Sequence, residues 1–100
     1  MTTTKQTLIA ARALIEKPEN WTQKAMARDA IGCKVNLSNP GAVCFCALGA
    51  IDKSAPFENL FLEAIRALKP YMGWAIETFN DRHTHAEVLE AFDKAIEAAE

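Results

Sequence analysis

The sequence predicts a mainly α-helical fold: one compact domain of four to five helices around a central apolar helix, with room for one short β-hairpin. Two capping-box pairs, Thr3 with Gln6 and Thr84 with Glu87, each precede apolar residues at helical spacing. The least polar run, Asn39 to Ser54, leaves almost no side for solvent. Half of the 100 residues are apolar, which suffices for a single core in a chain of this length.

The first helix is predicted to begin at Thr3 and to end before Pro18. A proline pushes the residue before it out of the helical region, so the helix cannot reach that position. Lysines, an arginine and a glutamate mark the solvent side of this stretch. One apolar face is expected to contact the core, formed by Leu8, Ile9, Ala11, Leu14 and Ile15.

The segment from Trp21 to Val35 has poor periodicity. Trp21, Ala25, Met26 and Ala30 would suit a helix, whereas Asp29 to Gly32 followed by Cys33 to Val35 would suit two short extended segments joined by a turn. We favour the hairpin, with Gly32 at a positive φ.

The central helix is predicted over Asn39 to Ser54. Asn39 can cap it and Pro40 suits the first helical position, where no amide hydrogen is needed. Gly49 is unfavourable in a helix interior by roughly 1 kcal/mol relative to alanine, so we expect another backbone to lie close against it.

Three helical patterns follow. From Pro56 onward, Phe57 and its helically spaced apolar neighbours predict an inward face, and Pro70 is expected to end or kink this helix. A short helix within Tyr71 to Phe79 would direct Trp74 or Ala75 inwards, and Asn80 to His83 would be a polar connection. After Thr84 a last helix is expected, with an ion pair between Glu90 and Lys94.

Composition excludes several classes of protein. There are 11 basic and 13 acidic residues, a net charge of -2, and the basic ones are scattered, so we expect no nucleic-acid partner. No run approaches the ~20 apolar residues of a membrane span, and the charged amino terminus lacks a signal-peptide core. Three cysteines predict reduced, buried thiols in a cytoplasmic protein rather than a disulfide framework.

One set of residues could provide thiol chemistry. Cys46 supplies a nucleophile, His83 or His85 a base, and Asn80 or Asp81 a group to orient the base. The alternative is that Cys46 is a small core residue and that Asn80 and Asp81 are turn residues. We favour this packing interpretation because no local motif of a cysteine enzyme is present.

Metal ligands do not converge in the sequence. Cys44 and Cys46 would lie about 200° apart around a helix, and His83 and His85 straddle a capping residue. No Cys-x-x-Cys pair or helical histidine pair is present. We therefore expect neither a metal nor a cofactor.

Several of these residues form a recognisable pattern. Trp21 precedes Ala27-Arg28-Asp29 and Gly32, Cys46 precedes Gly49-Ala50, and Asn80-Asp81 precedes Thr84. In this pattern the chain resembles a family of short bacterial and phage proteins described only as a domain of unknown function. Ile31 and Phe79 depart from it, since a polar turn residue and a tryptophan are more usual there. The resemblance implies a compact cytoplasmic domain and supplies no activity.

A binding role is the function that we expect. Loops on a rigid helical frame commonly carry recognition, and six polar or amphipathic residues lie in or beside the two least regular segments: Trp21, Arg28, Asp29, Asn80, Asp81 and Arg82. Ion pairs of Arg28 with Asp81 or of Asp29 with Arg82 would instead make them structural latches.

The expected function is therefore binding of a protein partner or a small ligand, without catalysis. The phage association of similar chains suggests an accessory factor or inhibitor that acts on a host. The alternative is a thiol-dependent hydrolase or transferase that uses Cys46 with His85 and Asp81.

Overall fold

The computed structural model describes residues 2–99, which contain five helices and one small sheet. The helices are α1 (Thr4–Leu14), α2 (Ala47–Ser54), α3 (Glu58–Met72), α4 (Ile76–Arg82) and α5 (His85–Ala98), and a 3-10 turn covers Pro18–Asn20. The strands β1 (Ala27–Arg28) and β2 (Cys44–Phe45) pair antiparallel, with Ala27 opposite Phe45. The predicted mainly α-helical class with one short two-stranded element is confirmed.

The core lies where α2 meets α1, α3 and α4, and α5 closes it against α1 and α3. Burial of each large apolar side chain contributes about 1.5–3 kcal/mol relative to leaving it exposed. The largest completely buried apolar side chains come from four helices and the end of α1: Leu8, Ile15, Ile51, Leu68, Val88 and Phe92. No helix among residues 2–99 is both long and apolar enough to cross a membrane.

The two capping boxes are confirmed. The Thr3 hydroxyl accepts from the amide of Gln6 at 3.1 Å, and the Gln6 side chain accepts from the amide of Thr3 at 2.9 Å. Thr84 and Glu87 repeat these contacts at 3.1 and 2.9 Å. Because each box satisfies two amides that the helix itself cannot, α1 and α5 begin where the sequence predicts.

Most side chains of α1 and α5 lie where the helical spacing predicts. Glu90 and Lys94 form the expected ion pair at 3.0 Å. Ile9, however, was expected to face inwards and is 47% exposed, while Thr7 is completely buried. The hydroxyl of Thr7 donates to the carbonyl of Thr3, which satisfies its polar atom inside the core.

The central helix is shorter than predicted, because it begins at Ala47 and not after Asn39. Asn39 caps a turn instead, with its side-chain oxygen accepting from the amide of Gly41 at 2.7 Å. The chain then enters β2, whose backbone pairs with β1. Cys46 caps α2, since its sulfur accepts from the amide of Gly49 at 3.3 Å.

The close backbone approach expected at Gly49 is confirmed. A β-carbon at this position would lie 2.2 Å from the carbonyl oxygen of Met26, well inside contact distance. The same carbonyl accepts from the amide of Cys46 at 3.3 Å. Glycine therefore lets the segment that leads into β1 lie directly against α2.

The hairpin favoured for residues 29–35 is present, but its first arm begins earlier, at Ala27. The amide of Asp29 donates to the carbonyl of Cys33 at 2.9 Å, and that of Val35 donates to Ala27 at 3.1 Å. Gly32 has the expected positive φ of 89°. Residues 29–32 form the turn itself rather than an extended segment, because Asp29 accepts amides from within the turn.

At its two ends α3 differs from the prediction, because the helix does not end at Pro70 and Phe57 does not face inwards. Pro70 lies within its last helical turn, and the helix continues to Met72 before Gly73, at a φ of 82°, ends it. Phe57 was expected to face inwards and is 66% exposed. Either Trp74 or Ala75 was expected to face inwards; Trp74 is 92% exposed, whereas Ala75 is half-buried. The cause at Trp74 is the left-handed backbone of Gly73, which interrupts the helical spacing on which the prediction rested.

The predicted polar connection at residues 80–83 is also wrong in its first part. Asn80 to Arg82 belong to α4, and Asn80 is completely buried. Of the three free cysteines, Cys46 is buried as expected, whereas Cys33 is exposed in the hairpin.

Candidate functional site

Asn80 joins three segments through one buried amide. Its Nδ2 donates to the carbonyl of Thr22 at 3.0 Å. Its Oδ1 accepts from the indole Nε1 of Trp21 at 2.7 Å and from the amide of Ala47 at 2.9 Å. The start of α2, the loop after the 3-10 turn and α4 are thereby held together at a point without solvent.

The neighbouring polar groups extend this connection. Asp81 Oδ1 accepts from the amide of Lys24 at 2.7 Å, and Lys24 has a φ of 64°. Gln23 Nε2 donates to the carbonyls of Asn80 and His83 at 3.0 and 3.1 Å. A non-glycine residue at positive φ is uncommon, and here the carboxylate of Asp81 holds it in place.

Arg28 organises the same loop from the side of the hairpin. Its guanidinium donates to the hydroxyl of Thr22 at 2.9 Å and to the carbonyls of Gly32 and Gln23 at 3.0 and 3.2 Å. Asp29 accepts from two amides of its own turn. All of these bonds fix the backbone of residues 22–33.

The ion pairs considered for this region are absent among residues 2–99. Arg28 does not pair with Asp81, and Asp29 does not pair with Arg82. The ion pairs among residues 2–99 involve Arg12 and Lys94 instead. That alternative is wrong because Arg28, Asp29 and Asp81 bond to nearby backbone groups instead. Arg82 itself is exposed at the end of α4.

The residues expected to bind a partner are therefore gathered, but they bond mostly to one another and to local backbone. Trp21, Asn80 and Asp81 meet around residues 22–24, and Arg28 reaches the same loop through Thr22 and Gln23. Asp29 bonds only within the hairpin, and Arg82 is exposed. Such satisfied groups hold a loop rigid and leave few donors or acceptors for a ligand. Binding by these six residues stays a prediction.

Cys46 lies in the core, 2% exposed. Its sulfur is 3.3 Å from the amide nitrogen of Gly49 and 3.9 Å from Sδ of Met26. Burial raises the pKa of the Cys46 thiol, an effect that the amides at the start of α2 partly offset and that the charge of Asp81 reinforces. At neutral pH the thiol form is favoured.

The other members of the proposed thiol group have different partners. Nε2 of His85 lies 2.6 Å from the carbonyl oxygen of Ile15, a contact that places the proton on this nitrogen. The imidazole packs beside the Trp21 ring at 5.4 Å between centroids. Within residues 2–99, neither Cys46 with His85 nor His85 with Asp81 forms a hydrogen bond.

Cys44 is in β2 and Cys46 caps α2, so the two do not lie on one helix as assumed. In the part of the chain that the structure describes, no three histidine, cysteine or acidic side chains are grouped as metal ligands would be.

A surface that the sequence did not indicate lies at the end of α3. We call it the Trp74 cleft; it has a volume of about 380 Å³ and is lined by Arg66, Lys69, Pro70, Gly73 and Trp74. The indole is 92% exposed, and Nζ of Lys69 lies 5.5 Å from the centroid of its ring. An exposed indole thus lies at the end of α3 with Lys69 over its ring and Arg66 on the same surface.

Rigid backbone supports the Trp74 cleft. Leu68 and Met72 of the same helix are buried in the core, and the amide of Gly73 donates to the carbonyl of Lys69 at 2.8 Å. The sequence contains one signal for it: Gly73 directly precedes Trp74 and Pro70 lies four residues before it, a combination that is typical of the end of a helix.

A second cleft, of about 350 Å³, lies on the other side of Pro70, between α3, α4 and α5. It is more polar, and its charged side chains are already engaged: Glu87 in the capping box and Glu90 with Lys94. The Phe79 and His83 rings stack there at 3.7 Å between centroids. This cleft offers fewer unpaired groups than the Trp74 cleft.

Comparison with curated proteins and with solved structures finds no match. A family model described as a family of unknown function, DUF6197, matches residues 1–98. This match confirms the expected resemblance to a domain of unknown function. The chain belongs to the family DUF6197.

Proposed function

We propose that the protein is a non-catalytic binding module that holds a partner protein at the Trp74 cleft. The observation that carries this proposal is the 92% exposure of Trp74, which lies in the short connection directly after α3. Tryptophan is enriched among the residues that dominate the free energy of protein association. A preformed position also lowers the entropy lost on binding.

The shape of the Trp74 cleft favours a protein over a small molecule. Small ligands usually bury most of their surface in an enclosed pocket. Here five residues form a shallow surface from which the indole projects. A projecting ring suits insertion into a concavity of a partner, with Pro70 and Gly73 beside it as a flat contact.

The cellular setting is part of the proposal. Cys33, Cys44 and Cys46 are all free, which suits a reducing compartment such as the cytoplasm. The resemblance to bacterial and phage proteins suggests that the partner is a host protein and that this chain is an accessory factor or inhibitor. The buried Cys46 with its raised pKa favours packing over the thiol-enzyme alternative.

Affinity capture with matched variants tests the proposal. Tagged wild-type protein, Trp74→Ala and Ile31→Ala would be used as baits in a bacterial lysate, and the retained proteins would be quantified by mass spectrometry. Ile31 is a suitable control because it is 85% exposed in the hairpin turn, away from α3. Circular dichroism would verify that both variants fold.

We expect at least one protein to be retained equally by wild type and Ile31→Ala and to be lost with Trp74→Ala. It should then bind the purified wild-type chain more tightly than the purified Trp74→Ala variant. Equal retention of every captured protein by Trp74→Ala would refute docking at this cleft.

A further inference from the structure

We infer that the segment bound at the Trp74 cleft is an acidic protein segment that places an apolar side chain against the indole and carboxylates against Arg66 and Lys69. This inference rests on the proposed function and adds the chemistry of the partner.

The Trp74 cleft carries a local positive charge. Arg66 and Lys69 are exposed, and neither takes part in an ion pair within residues 2–99. No carboxylate is among the five residues that line the surface. The cleft is thus locally basic in a chain whose net charge is -2. A basic surface of this kind is complementary to carboxylates.

The end of α3 explains the presence of only one of these two cations. Lys69 is in the last turn of α3, where a cation interacts favourably with the partial negative charge of the helix end. That effect falls off within one turn, so it does not account for Arg66 on the preceding turn. Interaction with the helix end therefore accounts for Lys69 but not for Arg66, which also lines the cleft.

Lys69 and Arg66 can both pair with carboxylates of a segment that contacts the Trp74 ring. Nζ of Lys69 already lies over one region of the Trp74 ring, at 5.5 Å from its centroid. A carboxylate paired with this ammonium group would bring its neighbouring side chain onto the indole. The guanidinium of Arg66 can accept a second carboxylate in a two-pronged contact, which lysine cannot make.

A nuclear magnetic resonance experiment tests the inference with defined probes. The chain has two tryptophans and hence two indole N–H signals, which a Trp74→Phe variant assigns. The Trp21 indole donates internally to Asn80 and serves as the reference. The probe is a short Gly/Ser peptide with glutamates on both sides of one phenylalanine; the control peptide has lysines in place of the glutamates.

We expect the glutamate peptide to shift the Trp74 signal in a saturable manner and to leave the Trp21 signal in place, while the lysine peptide has little effect. Raising the salt concentration should weaken the binding, because exposed charges are screened over about 8 Å at physiological ionic strength. Combined Arg66→Glu and Lys69→Glu substitutions should weaken it about tenfold and reverse the preference between the peptides.

Equal shifts with both peptides would overturn the acidic assignment, and so would a Trp74 signal that neither peptide shifts. A Trp74 shift that grows with protein concentration before any peptide is added would identify a second copy as the occupant and also overturn it. These results differ from failure of the proposed function, which is recognised by unchanged capture with Trp74→Ala.

Discussion

The indole nitrogen of Trp21 donates to Oδ1 of Asn80 at 2.7 Å, across 59 residues of sequence. The same oxygen accepts from the amide of Ala47 at 2.9 Å, and the amide nitrogen of Asn80 donates to Thr22. Both ends of this side chain are therefore satisfied in a position that solvent does not reach. Three segments that are distant in sequence depend on one amide for their relative position.

Asn80→Ala is expected to lower the free energy of unfolding by about 3–5 kcal/mol. The substitution leaves the indole of Trp21, the amide of Ala47 and the carbonyl of Thr22 without a partner, at about 1–3 kcal/mol for each buried group. Urea unfolding followed by circular dichroism measures the change. Asn59→Ala, at an exposed position of α3, should stay within about 0.5 kcal/mol of wild type; equal effects of the two substitutions would contradict the role assigned to Asn80.

Gly49→Ala is expected to destabilise the protein by more than about 2 kcal/mol. In a helix interior this change normally stabilises by up to about 1 kcal/mol, so the sign is reversed here. The reason is that the new β-carbon would lie 2.2 Å from the carbonyl oxygen of Met26. Thermal and urea unfolding would measure the effect, and a stabilised variant would show that the two backbones can separate without loss.

Gly32→Ala separates steric contact from backbone conformation. Gly32 has a φ of 89°, yet nothing lies within 4 Å of a β-carbon built there. Only the left-handed backbone opposes the substitution, at about 1 kcal/mol. In urea unfolding we expect Gly49→Ala to be much less stable than Gly32→Ala. The reverse order would show that the contact with Met26 is not what requires glycine at position 49.

The parts of the fold that depend on local chemistry could be predicted from the sequence. The capping boxes at Thr3 and Thr84 need only residues three positions apart, and the positive φ of Gly32 needs only its own turn. The start of α2 could not be predicted in this way. Residues 44–45 become a strand because they pair with residues 27–28, and this pairing is invisible to local periodicity.

The candidate site was less predictable for a related reason. Asn80 beside Asp81 has the composition of a turn, and only the arrival of Trp21 and Ala47 makes its burial favourable. Helical spacing across residues 71–79 allows Trp74 or Ala75 to face inwards, whereas the backbone at Gly73 breaks that spacing and directs Trp74 outwards. Both cases depend on geometry set by other segments.

Iodoacetamide labelling at neutral pH is expected to modify Cys33 first and to leave Cys46 protected. Cys33 is exposed, whereas Cys46 is 2% exposed and its burial raises the pKa of the thiol, which lowers the thiolate fraction. Mass-spectrometric mapping of each cysteine, repeated in denaturant, measures the difference. Selective labelling of Cys46 in the folded protein would instead support the thiol enzyme with His85 and Asp81.

The capping box of α5 should make stability depend on pH, because the backbone amide and hydroxyl of Thr84 lower the pKa of Glu87 below its usual 4.5. A lowered folded-state pKa contributes stability above the unfolded pKa, and this stability is lost as the pH falls through the folded value. Wild type should therefore exceed Glu87→Gln in stability near pH 7 and converge with it near pH 3.

The reverse change tests the effect of a capping carboxylate at α1, where Gln6 occupies the equivalent position. Gln6→Glu should gain stability near pH 7 and lose that gain on acidification. If urea unfolding across this range shows parallel curves for all three proteins, the charge of the capping carboxylate is not what stabilises the helix.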